Sequence, residues 1–140
     1  MAGRPDGSPS LSPKGSVRVY DDEHLAFMDI ASPGTVANLE RDPRSEINSV
    51  DFLRRRGYRF TGTAEFRGPG DECYRWLRDW LEKANGPGYP ASRAILVHAD
   101  QAAPLLSPAC IWGGAAEAGL VTAWPGKYRI PGCGQLERGA

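Results

Sequence analysis

A run of nine residues, 58–66, alternates between aromatic or small side chains and polar side chains. This alternation constrains the fold more than any other feature of the sequence. One face of the run carries Tyr58, Phe60, Gly62, Ala64 and Phe66, and the other carries Arg59, Thr61, Thr63 and Glu65. A period of two residues is that of a β-strand, so the run predicts a strand. Gly62 inside it indicates close approach by another backbone or by a ligand.

An apolar stripe at helical spacing predicts a helix over 71–84; its members are Cys73, Trp76, Leu77, Trp80, Leu81 and Ala84. The other predicted strands are 16–20, 24–29, 46–52 and 94–99, the last extended to 102–106 past a bulge. The other predicted helices are 33–41 and 115–124, the second closed by Pro125-Gly126, and the proline-rich segment 1–14 is predicted to be a loop. A doubly wound parallel sheet requires helices to alternate regularly with strands. Short turns instead join the strands at 20–24 and 52–58, so the order of elements disfavours such a sheet. It predicts a mainly β (α+β) fold, an antiparallel barrel with appended helices.

The composition excludes several classes of protein. Seventeen Lys and Arg balance seventeen Asp and Glu, so no nucleic-acid partner and no membrane-surface partner is predicted. No apolar run approaches the roughly 20 residues of a membrane span. Three cysteines, an odd number without paired spacing, indicate reduced thiols and a cytoplasmic location. His24 and His98 are far apart and have no ligand partners at suitable spacing, so no metal site is predicted.

The start of the helix at 33–41 is a predicted anion site. Ser32 suits the N-cap position and Pro33 suits the first helical position. The N–H groups of Gly34, Thr35 and Val36 are expected to have no intrahelical partner, and the helix dipole favours negative charge beside them. A phosphate would fit there, although the same residues also make an ordinary capped helix start.

Two basic segments offer further anion contacts. Lys14, two residues after Ser12 on a glycine-flanked turn, can donate to a phosphate or can be a solvated turn lysine. Arg54, Arg55 and Arg56 can clamp a phosphate or a carboxylate, or can form an ordinary charged hairpin turn. Neither segment by itself distinguishes an anion contact from an ordinary solvated turn.

The order of these motifs resembles that of one protein family. The motifs are Ser-Pro-Lys-Gly at 12–15, Asp-Ile-x-Ser-Pro-x-Thr-x-x-Asn-Leu-x-x-x-Pro at 29–43, Arg-x-Gly-Tyr-Arg-Phe-x-Gly-x-Ala at 55–64 and Pro-Leu-x-Ser-Pro-Ala at 104–109. Together they are similar to those of the FMN-binding split barrels related to pyridoxamine 5′-phosphate oxidase. The resemblance covers about residues 6–124 and is most specific at 29–43 and 57–64.

This resemblance implies a homodimer of six-stranded split β-barrels with FMN bound at the subunit interface. The residues that would hold FMN are Ser12 and Lys14 on the phosphate and ribityl side, Asp29 and Ile30 with their backbone against the isoalloxazine ring, Ser32 and Thr35 at the phosphate, and Arg56 across the groove. The helix start that is already a predicted anion site is thus the site that the resemblance assigns to the phosphate.

The sequence departs from the family pattern in three places. Only five residues precede the turn Asp6-Gly7-Ser8-Pro9, where family members have a helix and a strand, so the first family strand is expected to be missing and a sheet edge exposed. The Arg-Leu-His substrate signature of true pyridoxamine 5′-phosphate oxidases is absent near the C-terminus, so that substrate is not predicted. The segment after Trp124 is unlike the family; residues 1–127 are predicted to form the FMN-binding domain and residues 128–140 a loose tail.

The function that the resemblance implies is that of an FMN-dependent oxidoreductase transferring hydride at flavin N5, with its small-molecule substrate or electron donor left open. The alternatives are a non-catalytic flavin or small-ligand binding module and a truncated, cofactor-free dimer. The sequence does not separate FMN from a deazaflavin. It singles out no side chain as a proton donor, so the chemistry would be that of the cofactor.

Overall fold

The computed structural model describes residues 2–130. Within this range the strands are β1 (Ala2–Gly3), β2 (Pro9–Ser10), β3 (Arg18–Val19), β4 (His24–Asp29), β5 (Arg44–Asp51), β6 (Arg56–Arg67) and β7 (Arg93–Leu106). The helices are α1 (Pro33–Arg41), α2 (Glu72–Asn85), α3 (Pro108–Ile111) and α4 (Glu117–Lys127). An open antiparallel sheet contains five of these strands in the order β3-β4-β7-β6-β5, and β1 pairs separately with β2.

The described residues divide into two compact units. The first contains residues 2–47 and 60–102, and the second contains residues 48–59 and 103–130. Strand β4 and helices α1 and α2 belong entirely to the first unit, whereas α4 belongs to the second. None of the helices within residues 2–130 combines the length and the apolar character that crossing a membrane requires.

The core of the first unit lies on both faces of β4. Because side chains alternate along a strand, Ala26 and Met28 lie on one face and Phe27 on the other. Helix α2 covers the first face, and the buried cluster there is Ala26, Met28, Cys73, Tyr74, Leu77, Leu81, Ala94 and Leu96. The cluster on the second face, which includes Leu39 of α1, is Phe27, Leu39, Ala64, Ile95 and Val97. Burial of both faces explains why residues 25–28 form an unbroken apolar run.

Two predicted elements have their predicted bounds, the strand at 24–29 and the helix at 33–41. Helix α2 begins one residue later than predicted because Asp71 is its N-cap, and the Asp71 side chain accepts a hydrogen bond from the Cys73 N–H at 2.8 Å. The buried side of α2 also differs from the predicted stripe: Tyr74 is buried, whereas Trp76 is 39% exposed. The Tyr74 hydroxyl donates to the Ala91 carbonyl at 2.8 Å, so its polar group is satisfied while its ring joins the core.

The structure corrects several predicted boundaries in the first unit. The segment predicted as a loop contains the β1–β2 hairpin, whose turn includes Gly7 at φ 81°. Strand β3 has two residues instead of the predicted 16–20, because the Met28 N–H donates to the Ser16 hydroxyl at 3.1 Å rather than to a strand carbonyl. Strand β7 is continuous from Arg93 to Leu106 rather than two segments. The close approach predicted at Gly62 is that of a backbone: a Cβ there would lie 2.0 Å from the His98 carbonyl oxygen.

In the second unit, α4 continues through Pro125, where the sequence predicts its end. Proline removes one helical donor, but the last turn is closed by the Tyr128 N–H, which donates to the Trp124 carbonyl at 2.9 Å. Trp124 and Tyr128 pack with ring centroids 5.5 Å apart, and Phe52 meets Tyr128 edge-on at 5.5 Å. Tyr128 therefore makes defined contacts, and most of the predicted loose tail, residues 131–140, lies outside the described residues.

Candidate functional site

The turn that follows β4 is organised by the Asp29 carboxylate. Asp29 Oδ1 accepts hydrogen bonds from the Ser32 hydroxyl at 2.9 Å and from the Ser32 N–H at 3.4 Å. Asp29 Oδ2 accepts one from the Ser92 hydroxyl at 3.2 Å, just before β7 begins. Both carboxylate oxygens are thus engaged, one by Ser32 of the same turn and the other by Ser92, and they fix the geometry of the turn that leads into α1.

Helix α1 begins at this turn without a side-chain cap. Ser32 occupies the N-cap position as predicted, but its hydroxyl bonds to Asp29 and not to the helix. Pro33 stands at the start of the helix, and the first turn contains no acidic residue. The Val36 N–H is not free, contrary to the prediction, because it donates to the Ser32 carbonyl at 3.1 Å as the first helical hydrogen bond. A Cβ built at Gly34 meets no atom within 4 Å, so the space beside this turn is open. The positive end of the helix dipole is therefore accessible to an anion.

Lys14 is half-buried and is held by Ser12. Its Nζ donates to Ser12 Oγ at 2.9 Å and lies 5.9 Å from the centroid of the Phe27 ring. Among residues 2–130, no carboxylate forms a salt bridge with it. Burial lowers the pKa of Lys14, and the charge of Asp29 acts in the opposite direction. A partly desolvated ammonium without a contacting counter-ion is a favourable partner for an anionic ligand.

The first unit contains every predicted cofactor-binding residue except Arg56. Ser12 bonds to Lys14 and Ser32 bonds to Asp29, and the Asp29 charge opposes the effect of burial on the pKa of Lys14. The other two are Ile30, whose side chain packs against the α2 cluster, and Thr35, which is half-buried in the first turn of α1.

Arg56 lies at the start of β6 in the second unit. Its Nη1 forms an ion pair with Glu117 at 3.2 Å, and its Nε is buried without a hydrogen-bond partner among the described residues. It lines an open cavity of about 260 Å³ together with Val50, Phe52, Arg55, Leu105, Leu106 and Ser107. A buried donor without a partner is costly unless a ligand or water accepts its hydrogen bond. The Nε–H of Arg56 is therefore available to a ligand within the second unit.

Two serines that shape the site have no distinguishing signal in the sequence. Ser92 bonds to Asp29 from a segment distant along the chain, and the buried Ser16 accepts from the Met28 N–H. Ser92 belongs to no motif, and Ser16 is only the first residue of the predicted strand 16–20, so only the three-dimensional arrangement reveals their contacts.

The two histidines are neighbours, contrary to the prediction that they lie far apart. His24 of β4 stands directly opposite His98 of β7, with ring centroids 5.2 Å apart. The prediction is wrong because it used distance along the chain, whereas sheet pairing joins segments that are distant in sequence. Within residues 2–130, no group of three or more His, Cys, Asp or Glu side chains is placed to hold a metal ion.

Neither described cysteine is placed as a nucleophile. Cys73 is buried in the α2 cluster, and burial, followed by the charge of Asp71, raises the pKa of its thiol to about 11. A thiol with so high a pKa stays protonated at neutral pH. Cys110 has its sulfur 3.7 Å from the Arg55 carbonyl oxygen, with no basic side chain in hydrogen-bond contact among the described residues.

Comparison with known proteins identifies the family. A family model described as pyridoxamine 5′-phosphate oxidase matches residues 2–105. The crystal structure of tagged HupZ from Group A Streptococcus is 30% identical, with a TM-score of 0.66 over 76% of this chain and 82% of that one. No curated protein matches the chain in sequence.

Two further solved structures are similar in fold alone, because their sequence identities are low. An FMN-binding protein from Syntrophomonas wolfei is 11% identical, with a TM-score of 0.61 over 74% of this chain and 72% of that one. An F420 reductase is 20% identical, with a TM-score of 0.57 over 73% of this chain and 84% of that one. The predicted fold class, an antiparallel split β-barrel with appended helices, is confirmed. Since the family model spans most of the sequence, the chain belongs to the pyridoxamine 5′-phosphate oxidase family.

Proposed function

We propose that this chain binds FMN through its phosphate at Lys14 and the start of α1, and that it acts as an FMN-dependent oxidoreductase. The observation that carries the proposal is the state of Lys14: a half-buried ammonium, held by Ser12 and without a salt-bridge partner among the described residues. The uncapped start of α1, free of acidic residues, supports it. Membership of the family supplies the identity of the ligand.

The residues present fit a phosphate. The Lys14 ammonium supplies charge, the N–H groups of Gly34 and Thr35 supply directed donors, and the open space beside Gly34 admits the group. The Thr35 hydroxyl, in the same turn, is the further donor that the family resemblance assigns. Asp29 would repel a phosphate directly, but the donors from Ser32 and Ser92 hold its carboxylate within the turn.

The predicted role of Asp29 and Ile30 toward the isoalloxazine ring is a backbone role. This role suits Asp29 because both of its side-chain oxygens already have partners. Ile30 packs its side chain into the α2 cluster, which anchors the backbone at that point. When bound, FMN would supply hydride transfer at N5, and the chain would supply binding and orientation. The predicted role of Arg56 rests on the resemblance and on its own unpartnered donor.

The decisive experiment compares FMN with riboflavin, which lacks the phosphate. A charge-assisted contact contributes about 1.5–3 kcal/mol, so Lys14→Ala is expected to weaken FMN roughly 10- to 150-fold and riboflavin hardly at all. Lys83→Ala, which removes an exposed lysine of α2, is the matched control and should leave both affinities unchanged. Equal losses of FMN and riboflavin in Lys14→Ala contradict the phosphate anchor.

Two further measurements separate the remaining candidates. Titration with FMN and with F420, followed by flavin fluorescence or absorbance, tests the ligand, because one structure with this fold is an FMN-binding protein and another an F420 reductase. We expect FMN to bind more tightly. Turnover of the FMN-loaded protein with a nicotinamide donor and an electron acceptor then distinguishes an oxidoreductase from a binding module. The predicted cytoplasmic location stays a prediction.

We also propose that the chain forms a homodimer, as the family resemblance implies. The first unit exposes apolar side chains that a second copy would cover, among them Leu11 at 79% and Val19 at 69%. Phe66 and Trp80 are partly buried against the core, whereas Trp76 is 39% exposed and offers a second copy more surface. Sedimentation equilibrium should give twice the 15.2 kDa chain mass, and a compact monomer that persists at high concentration contradicts the proposal.

A further inference from the structure

The chain has only two histidines, and the fold places them directly opposite each other on neighbouring strands. His24 and His98 are Cα partners in the β4–β7 register, and their rings meet at 5.2 Å between centroids with an interplanar angle of 69°. The Ala99 N–H donates to the Glu23 carbonyl at 2.8 Å, which makes residues 23 and 99 a hydrogen-bonded pair. His24 and His98 therefore occupy a non-hydrogen-bonded position, where opposite side chains approach most closely.

Each histidine has its own orienting carboxylate. His24 Nδ1 lies 2.8 Å from Asp21 Oδ1 and 3.0 Å from Asp21 Oδ2, and His98 Nδ1 lies 2.9 Å from Asp100 Oδ1. In a neutral imidazole held in this way, Nδ1 carries the proton and donates it to the carboxylate, so the lone pair that can bind an ion is on Nε2. This carboxylate–histidine arrangement is the one that orients metal-ligating histidines in proteins.

We propose that His24 and His98 together bind a divalent transition-metal ion through their two Nε2 atoms, with Asp21 and Asp100 as positioning residues. A metal at about 2.1 Å from Nε2 lies about 3.2 Å from that ring's centroid, so two rings at 90–110° around it have centroids about 4.5–5.2 Å apart. The observed separation of 5.2 Å falls at the tetrahedral end of this range.

The surroundings of the pair favour a cation. Asp21, Asp22 and Glu23 make the turn before β4 acidic, and Asp100 adds a carboxylate from β7. The side chains of His24 and His98 are 26% and 49% exposed, so an ion can reach them from solvent. The described residues supply two imidazole ligands, and water would complete the shell. Imidazole with open positions suits Cu²⁺, Ni²⁺ and Zn²⁺, with Cu²⁺ the tightest.

This site is separate from the proposed flavin site. His24 begins β4 and Asp29 ends it, and five residue steps along a strand span about 17 Å. The two histidines lie on the strand face that also carries Ala26 and Met28, beyond the part that α2 buries. Binding of a metal ion therefore does not depend on binding of FMN.

The test uses the full chain without a histidine tag and NiCl₂ or ZnCl₂ as the probe. Isothermal titration calorimetry is expected to show one ion per chain. In ¹H–¹⁵N spectra of the imidazoles, both Nε2 signals should shift together with Zn²⁺ while both Nδ1 atoms keep their protons. His24→Gln and His98→Gln should each weaken binding at least tenfold, and Asp21→Asn and Asp100→Asn should each weaken it about 10- to 100-fold.

Two controls make the outcome decisive. The double variant His24→Gln/His98→Gln reports any ion held by the cysteines, and unchanged binding in this variant overturns the proposal. Asp22→Asn removes a neighbouring charge that contacts neither ring in the described hydrogen bonds, and it should change affinity less than twofold. Independent shifts of the two imidazoles, with one ion on each, also overturn the proposal. If His24→Gln does not fold, His98→Gln is used for the test, because the His98 side chain is the more exposed of the two.

Discussion

Gly62 offers a direct test of the sheet, because the fold leaves no space there for an added methyl group. A Cβ built on Gly62 would lie 2.0 Å from the His98 carbonyl oxygen, 3.0 Å from its carbonyl carbon and 3.2 Å from Val97 Cγ1. Two of these three atoms are backbone, so no side-chain rotation relieves the contact. To reach the 3.0 Å below which real Cβ contacts are essentially never found, β6 and β7 must separate by about 1 Å.

The cost of Gly62→Ala follows from this displacement. Overpacking of a close-packed interior costs about 1–3 kcal/mol, and a weakened ladder hydrogen bond costs about 0.5–1.5 kcal/mol more. Alanine restricts the unfolded chain and so returns about 0.4–1 kcal/mol. The net expectation is a loss of roughly 0.5–4 kcal/mol, set against the 5–15 kcal/mol typical of a domain. At about 4 °C per kcal/mol, the melting temperature should fall by roughly 2–16 °C.

The assay is thermal and urea unfolding followed by circular dichroism. The matched control is Gly15→Ala, because a Cβ at Gly15 meets nothing within 4 Å and Gly15 has no positive φ. It should leave stability unchanged or raise it slightly. If Gly62→Ala and Gly15→Ala melt within about a degree of each other, the β6–β7 approach is wrong and Gly62 is present for another reason.

The thiol of Cys73 makes stability depend on alkaline pH. Since the pKa of Cys73 is raised from 9.0 to about 11 in the folded chain, its contribution is complete below pH 9 and is lost as the pH rises to about 11. Unfolding free energies measured from pH 8 to 11 should therefore fall more steeply in the wild type than in Cys73→Ala, and parallel slopes would refute this. Asp71→Ala removes the N-cap of α2 and should cost about 1 kcal/mol in urea unfolding, whereas Asp71→Asn should retain most of the stability. Equal losses in the two variants would mean that the side-chain oxygen does not cap the helix.

Elements with a strong local pattern could be predicted from the sequence. The alternation at 58–66, the apolar run at 25–28 and the Ser32-Pro33 helix start each report the geometry of a few consecutive residues, and each corresponds to an observed element. The boundary errors arise where a side chain replaces a backbone partner. The Ser16 hydroxyl ends β3, and the ring contacts of Tyr128 accompany a last helical turn beyond Pro125. Such effects have no local period, so the sequence pattern does not contain them.

The features of the candidate site likewise divide into those that the sequence predicts and those that only the fold creates. Ser12, Lys14, Ser32 and Thr35 could be singled out because anion binding uses hydroxyls, an ammonium and a helix start, which are properties of short segments. That Lys14 is half-buried and lies over the Phe27 ring, and that Ser92 holds Asp29, depends on segments that meet only in the folded chain.

The sequence by itself determined the family, the mainly β fold and the residue types of a phosphate site, since these follow from motifs and periodicities within short segments. Only the tertiary structure placed Tyr74 rather than Trp76 in the core and brought His24 opposite His98. The physical reason is that the register of β4 against β7 is set by burial of both strand faces at once. This constraint acts between residues distant along the chain.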